Sequence, residues 1–230
     1  MNNSHRSVIL LTKDDEWGAR ATSLVSLHFP GEVTVFRGKF GTPYPLRDKR
    51  LTEVILISFL SPWIVPADHI DSAWIAINFH PGSTSYPGIG CYNFALYENA
   101  KEYGAVFHFM SPLVDRGEII EERLFGVEAC ETVASLRNKT LETMTSMLQD
   151  VLPNIRRNQR PKSTDNRWRR EPFKRKDLEE LSKVTINMDS AEIGRRVRAM
   201  HYPGYPGAWV RIGATVFRAE FPTCSDESSA

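Results

Sequence analysis

The chain has 230 residues, 41% of them hydrophobic and 25% charged, with a net charge of +1. That balance allows one substantial core with a small appendage, and it gives no general reason to expect nucleic acid or a membrane surface as partner. No apolar run is long enough to span a bilayer, and no N-terminal apolar segment follows a basic stretch.

Cys91, Cys130 and Cys224 are odd in number and widely spaced, which suits a reducing cytoplasm without a disulfide framework. The histidines (His5, His28, His69, His80, His108 and His201) show no metal-ligand spacing with each other or with cysteine. No metal site is expected.

Ser7 to Thr12 reads as a short apolar strand, Trp17 to Phe29 as a helix by its apolar spacing, and Glu32 to Arg37 as a second strand. Strand, helix, strand predicts a right-handed βαβ unit and a parallel sheet. The first turn, Lys13-Asp14-Asp15-Glu16-Trp17-Gly18, lacks the Gly-x-Gly-x-x-Gly fingerprint, which disfavours a nicotinamide cofactor. Lys39 to Arg50 is a loop with Pro43, Pro45 and several basic residues, read as a solvated connection ahead of a phosphate contact.

Thr52 to Leu60 is apolar enough for a strand in mid-sheet, and it runs into the irregular segment Ser61-Pro62-Trp63-Ile64-Val65-Pro66. Apolar groups beside free backbone donors and acceptors would suit a flat heteroaromatic ring with amide-like edges; the plainer reading has Trp63 and Ile64 plugging the end of the sheet. Trp74 to Ile77 is a buried strand, so Asn78 and His80 fall where it ends, the position at which open α/β sheets bind ligands. A loop rich in proline and glycine follows, from Pro81 to Gly90.

Cys91 to Ala100 reads as a short helix, Gly104 to Met110 as a strand carrying His108, and Glu118 to Val127 as a further strand. Thr132 starts a long helix with Val133, Leu136, Leu141, Met144, Leu148 and Val151 on one face, expected to end at Pro153. From Arg156 to Lys176 ten basic residues face only Asp165 and Glu171 around Trp168. A solvated linker is the first reading, a contact to a substrate diphosphate the second and nucleic acid the third. Asp189-Ser190-Ala191-Glu192 has the form of a capping box opening a helix with Ile193, Val197 and Met200 inward. An aromatic turn, His201 to Gly207, leads to a hairpin of Trp209 to Ile212 and Thr215 to Glu220, and residues 221–230 read as a frayed tail.

A carboxylamide, an imidazole and a carboxylate in one crevice can move protons and stabilise an oxyanion. Singly, Asn78, His80 and Asp115 are more often structural, and His108, alternating with Val106 and Met110, is read as structural. Together they form Asn-x-His-Pro-Gly followed by His-x-Met-x-x-x-x-Asp-x-Gly-x-Ile. On that pattern, residues 76–120 resemble the folate-dependent formyltransferases, the superfamily of glycinamide ribonucleotide and methionyl-tRNA formyltransferases. Tyr86-Pro87-Gly88-Ile89-Gly90-Cys91-Tyr92-Asn93-Phe94-Ala95 looks most like the branch that formylates amino sugars on nucleotide carriers.

The resemblance implies a catalytic trio of Asn78, His80 and Asp115. It implies a donor site for 10-formyltetrahydrofolate at Phe59, Leu60, Ser61, Trp63 and Ile64 and at Pro112, Leu113 and Val114. The acceptor would be a nucleotide-linked amino sugar, with Tyr86, Asn93, Tyr202 and Tyr205 as candidate contacts; a homodimer is compatible with this reading. The expected fold is α/β: a Rossmann-like, mostly parallel sheet over 1–155, a basic linker over 156–176, and a small helix and β-hairpin module over 177–230. Formylation of methionyl-tRNA or glycinamide ribonucleotide, or a catalytically silent folate- or nucleic-acid-binding protein, stand as alternatives.

Overall fold

The apolar runs at 8–11, 55–57 and 75–77 carry no polar alternation, the pattern of strands covered on both faces. The structure, a computed structural model, describes residues 6–47 and 50–220. In it β1 (Val8–Lys13), β2 (Val33–Gly38), β3 (Ile55–Phe59) and β4 (Ile75–His80) run parallel. Then β5 (Glu102–Phe109) and β6 (Ile119–Gly126) add antiparallel, and the spatial order is β2-β1-β3-β4-β5-β6. Each lies within a few residues of its predicted span. The expected tail at 221–230 lies outside the described residues.

Alternation along β4 decides where chemistry can sit. Ile75, Ile77 and Phe79 join the core formed with α1 (Glu16–His28) and α4 (Val133–Arg156), where Trp17, Val25, Leu141, Met144 and Leu148 are buried. Ala76, Asn78 and His80 therefore point to the opposite face. There a second core gathers Ile9, Leu11, Leu56 and Ala76 beneath Leu46, Leu51 and Val65. α2 (Ala67–Ser72) packs Ile70 onto that core, and Leu46, Leu51 and Val65 come to it from loops.

The long helix opens as expected, with Thr132 accepting from the Ser135 amide at 3.1 Å and Ser135 Oγ accepting from the Thr132 amide at 2.9 Å. It does not stop at Pro153. The proline withholds one amide hydrogen from the Gln149 carbonyl, but the fully buried Leu152 and Ile155 carry the last turn into the core. Burial outweighs the lost bond.

Beyond it, α5 (Arg175–Ser182), which the sequence reading did not anticipate, precedes β7 (Lys183–Val184) and α6 (Ser190–Met200). Asp189 caps α6 through the Glu192 amide at 2.7 Å, while the Glu192 carboxylate turns to Tyr97, Arg195 and Arg196 instead of closing the box. The expected hairpin is β8 (Trp209–Ile212) and β9 (Thr215–Arg218), turning at Gly213 with φ +60; β7 pairs with β8 to make three strands. This part docks on α3 (Cys91–Tyr97), where Asn93 Nδ2 donates to the Ala199 carbonyl at 2.7 Å.

Candidate active site

Strand register builds the site. Asn78 on β4 lies opposite His108 on β5, so both side chains and that of His80 project from one face. Asp115 arrives from the loop after β5, held with φ +48 in the left-handed region. Next to it Gly117 has no room for a side chain, since a Cβ would stand 1.7 Å from the Phe109 carbonyl oxygen.

The groups meet as a network. His80 Nδ1 lies 3.2 Å from Asp115 Oδ2, and His80 Nε2 donates to the Tyr86 carbonyl at 2.9 Å. Both ring nitrogens thus face acceptor oxygens, which fix the plane of the ring. The Gly88 amide donates to the same Asp115 oxygen at 2.8 Å, and His108 Nε2 lies 3.7 Å from Asp115 Oδ1.

His108 was expected to be structural, yet it belongs to this network. Its Nδ1 donates to the Phe109 carbonyl at 2.7 Å, which leaves Nε2 to accept from Asn78 Nδ2 at 3.0 Å. The tautomer of His108 therefore orients the Asn78 amide, and one Asn78 N–H remains for a ligand. Of the trio, Asn78 is the half-buried member; His80 and Asp115 lie behind it, 4% and 7% exposed.

Burial pushes the Asp115 carboxyl up, but the His80 ring beside it and the Gly88 amide that donates to it work the other way, and it is held at about 2. Asp115 is a carboxylate at neutral pH. Nearby, burial raises the Cys91 thiol to about 11, and its Sγ donates to the Pro81 carbonyl at 3.2 Å. That thiol is not a nucleophile.

Both segments read as a donor site flank this cluster. Phe59, buried at the end of β3, pairs with Phe79, one residue before His80. Leu60 then turns with φ +57, Ser61 Oγ accepts from the Trp63 amide at 3.1 Å, and Trp63 Nε1 donates to the Thr42 carbonyl at 2.8 Å. Ile64 is 71% exposed. On the Asp115 loop, Pro112 is exposed, and Leu113 and Val114 are 69% and 49% exposed. Large apolar groups left open beside a polar cluster are the setting a flat ring would fill.

The candidate acceptor residues divide. Asn93, Tyr202 and Tyr205 line a cavity of about 690 Å³ at the carboxyl ends of β1 and β2, with Asp14, Asp15, Lys13, Arg137 and Lys39, the last being the first residue of the loop weighed for a phosphate contact. Tyr86 is elsewhere. Its ring is buried against Tyr103 and under the Arg170 guanidinium, and burial and Glu98 raise its phenol to about 12. Its carbonyl, holding His80, is what serves the site.

The basic stretch is not a solvated linker along its length. Trp168 packs edge-on against His80 and His108, with ring centroids 5.6 and 5.2 Å away. Arg170 forms a two-bond pair with Glu98, and Arg156 pairs with Glu32. Composition alone could not show this, because the segment is fixed mainly by hydrogen bonds. Among the described residues no cluster could hold a metal ion, and no helix is long and apolar enough to cross a membrane.

No protein-family model matches the sequence. Solved structures do. A sugar N-formyltransferase from a Shewanella species is 17% identical, with a TM-score of 0.77 over 94% of this chain and 97% of its own. A 4-N formyltransferase from Francisella tularensis is 17% identical, with a TM-score of 0.74 over 96% of this chain and 100% of its own. An N-formyltransferase from Helicobacter canadensis, in complex with folinic acid and dTDP-3-aminofucose, is 20% identical, with a TM-score of 0.73 over 91% of this chain and 85% of its own. At such identities the likeness is one of fold: this chain is built on the fold of the sugar N-formyltransferases.

Proposed function

We propose that this protein is a folate-dependent N-formyltransferase, moving the formyl group of 10-formyltetrahydrofolate to the primary amine of a nucleotide-linked amino sugar in the cytoplasm. The observation that carries the reading is the Asn78–His108–Asp115–His80 network at the end of β4, on a fold shared with sugar N-formyltransferases. The donor, when bound, supplies an activated formyl carbonyl. Exposed Ile64, Leu113 and Val114 fit its flat ring, and the backbone of the turn at Leu60 and Ser61 fits its amide-like edge.

Each residue then has a task set by its surroundings. The second N–H of Asn78 faces the charge that develops on the formyl oxygen as the amine attacks. His80 stands behind it and reaches the oxygen only by giving up the Tyr86 carbonyl. Asp115 holds that ring through Nδ1. A general base works best near ambient pH, so a carboxyl held at about 2 is an orienting group, and the proton lost by the amine passes to water or to the leaving nitrogen.

The acceptor enters, on this reading, through the cavity of Lys13, Lys39, Arg137 and Tyr202. Lys39 and Arg137 face Asp14 and Asp15 on the same wall only at 3.7 Å, and such loose pairs leave the cations open to phosphate, beside an aromatic for a base. A tRNA acceptor fits less well, since Arg156 and Arg170 of the basic stretch are spent on Glu32 and Glu98. The test is amine-dependent release of tetrahydrofolate, followed by absorbance across a panel of nucleotide-linked amino sugars. Release with some member, and none without an amine, is expected; no release with any member, while methionyl-tRNA is formylated, would overturn the sugar reading.

A further inference from the structure

A chain segment with almost no regular secondary structure crosses the site and is tied down at nearly every second residue. The Thr164 amide donates to the Ile119 carbonyl at 2.7 Å. Asn166 Nδ2 donates to Glu122 Oε2 at 2.7 Å, and Glu122 Oε1 accepts from the Thr84 amide at 2.7 Å. The Arg169 amide donates to the Thr84 carbonyl at 3.0 Å. The Phe173 amide donates to the Pro87 carbonyl, and its own carbonyl accepts from Ile89, both at 2.9 Å. Phe173 also stacks on Phe94 at 3.7 Å between centroids.

These ties join the two loops that the chemistry depends on. Thr84 and Pro87 belong to the loop giving His80 its Tyr86 carbonyl and Asp115 its Gly88 amide. Between them Trp168 Nε1 donates to the Gly117 carbonyl at 2.9 Å, two residues past Asp115. We propose that Trp168 is a positioning residue of the active site: its indole packs edge-on against both imidazoles, holds them in register with Asp115, and closes the cluster to bulk water.

The chemical consequence rests on the formyl-transfer reading of the same site. With the indole gone, water can replace the amine: its oxygen attacks the formyl carbon, the bond from that carbon to N10 breaks, N10 takes one proton of the water, and the other is lost to solvent. Formate and tetrahydrofolate leave. The packing consequence does not depend on that reading. Hydrogen–deuterium exchange at the imidazole C2 position, read by mass spectrometry on His80 and His108, reports solvent access without any turnover.

The experiment compares the full chain with Trp168→Ala and Trp168→Phe, with thermal melts to confirm folding and His28 as the internal control. Trp168→Ala should speed C2 exchange at both histidines about tenfold while His28 is unchanged. It should also raise amine-independent formate release relative to transfer by about tenfold, with the affinity for donor kept. Trp168→Phe, keeping an aromatic edge, should stay near wild type in both. If Trp168→Ala does not fold, Trp168→Leu is read in its place. A folded variant with wild-type exchange and a wild-type ratio of formate to transfer overturns the proposal, as does a fall of both rates in proportion to lost stability. Should the wild type transfer no formyl group to any amine, the formyl reading fails, and the exchange rates alone decide the role of Trp168.

Discussion

His80 and Asp115 meet through Nδ1 and Oδ2 at 3.2 Å, inside a site where both side chains are nearly free of solvent contact. The contact carries a pH dependence whose sign is fixed. The folded carboxyl lies at about 2 against an ordinary 3.8, so its contribution to stability is complete above about pH 5 and is lost as the pH falls toward 2. At about 1.4 kcal/mol per pKa unit the contribution is about 2 kcal/mol. Urea unfolding of wild type and Asp115→Asn at pH 6 and pH 3 checks it: the gap between the two proteins should shrink by about half. An equal gap at both pH values would show that Asp115 is not held by its partners.

Asn78 and His80 should separate binding from chemistry. An N–H aimed at a developing oxyanion is worth about 3–4 kcal/mol of barrier. Asn78→Ala should therefore cut turnover about 100- to 1000-fold with donor affinity kept. His80→Asn should do the same. Stopped-assay kinetics beside donor titration measures both, and near-normal turnover in either variant removes it from the trio.

Much of this arrangement was legible in the sequence. The apolar runs Thr52 to Leu60 and Trp74 to Ile77 announced strands, and Asn78 and His80 were expected where the second one ends; the structure makes His80 the last residue of β4. What was not legible depends on partners distant in the chain. His108 has the same alternation whether it meets a solvent-facing loop or Asn78 across the strand pair. Trp168 sits in a run of arginines whose composition reads as solvated, and only the carbonyl of Gly117 and the rings of His80 and His108 give it a place. Pro153 looked like a stop because local propensity cannot register the burial of Ile155.

Gly82 offers a test by one methyl group. A Cβ there would lie 2.6 Å from His80 Nε2 and 2.7 Å from the Tyr86 carbonyl oxygen, between the two atoms of a hydrogen bond. Gly82→Ala should push the ring off that carbonyl and lower turnover about 100-fold, the size of effect that a misplacement near 1 Å produces. Its melting temperature should fall far less than that of Gly117→Ala, whose Cβ would strike the Phe109 backbone. Wild-type turnover in Gly82→Ala would mean that the Tyr86 carbonyl plays no part in placing His80.

The loop from Leu60 to Ile64 separates backbone path from side-chain identity. Leu60 holds a left-handed φ of +57, and Ser61 Oγ secures the next turn by accepting from the Trp63 amide at 3.1 Å. If the donor ring is read by backbone groups here, the path of the chain matters and most side chains do not. Ser61→Ala removes one hydrogen bond of about 1 kcal/mol from the turn, so it should weaken a folate analogue by no more than about fivefold. Leu60→Gly keeps the left-handed turn open to the chain and should bind about as well. Inserting one residue between Ser61 and Pro62 shifts every later amide and should abolish binding, while Trp63, anchored to Thr42, and the buried strand behind it keep the domain folded. Calorimetry with a stable folate analogue, beside circular dichroism, decides the matter. A folded insertion variant that binds as tightly as wild type would make Trp63 and Ile64 a plug for the end of the sheet, and the donor would have to bind elsewhere on this face.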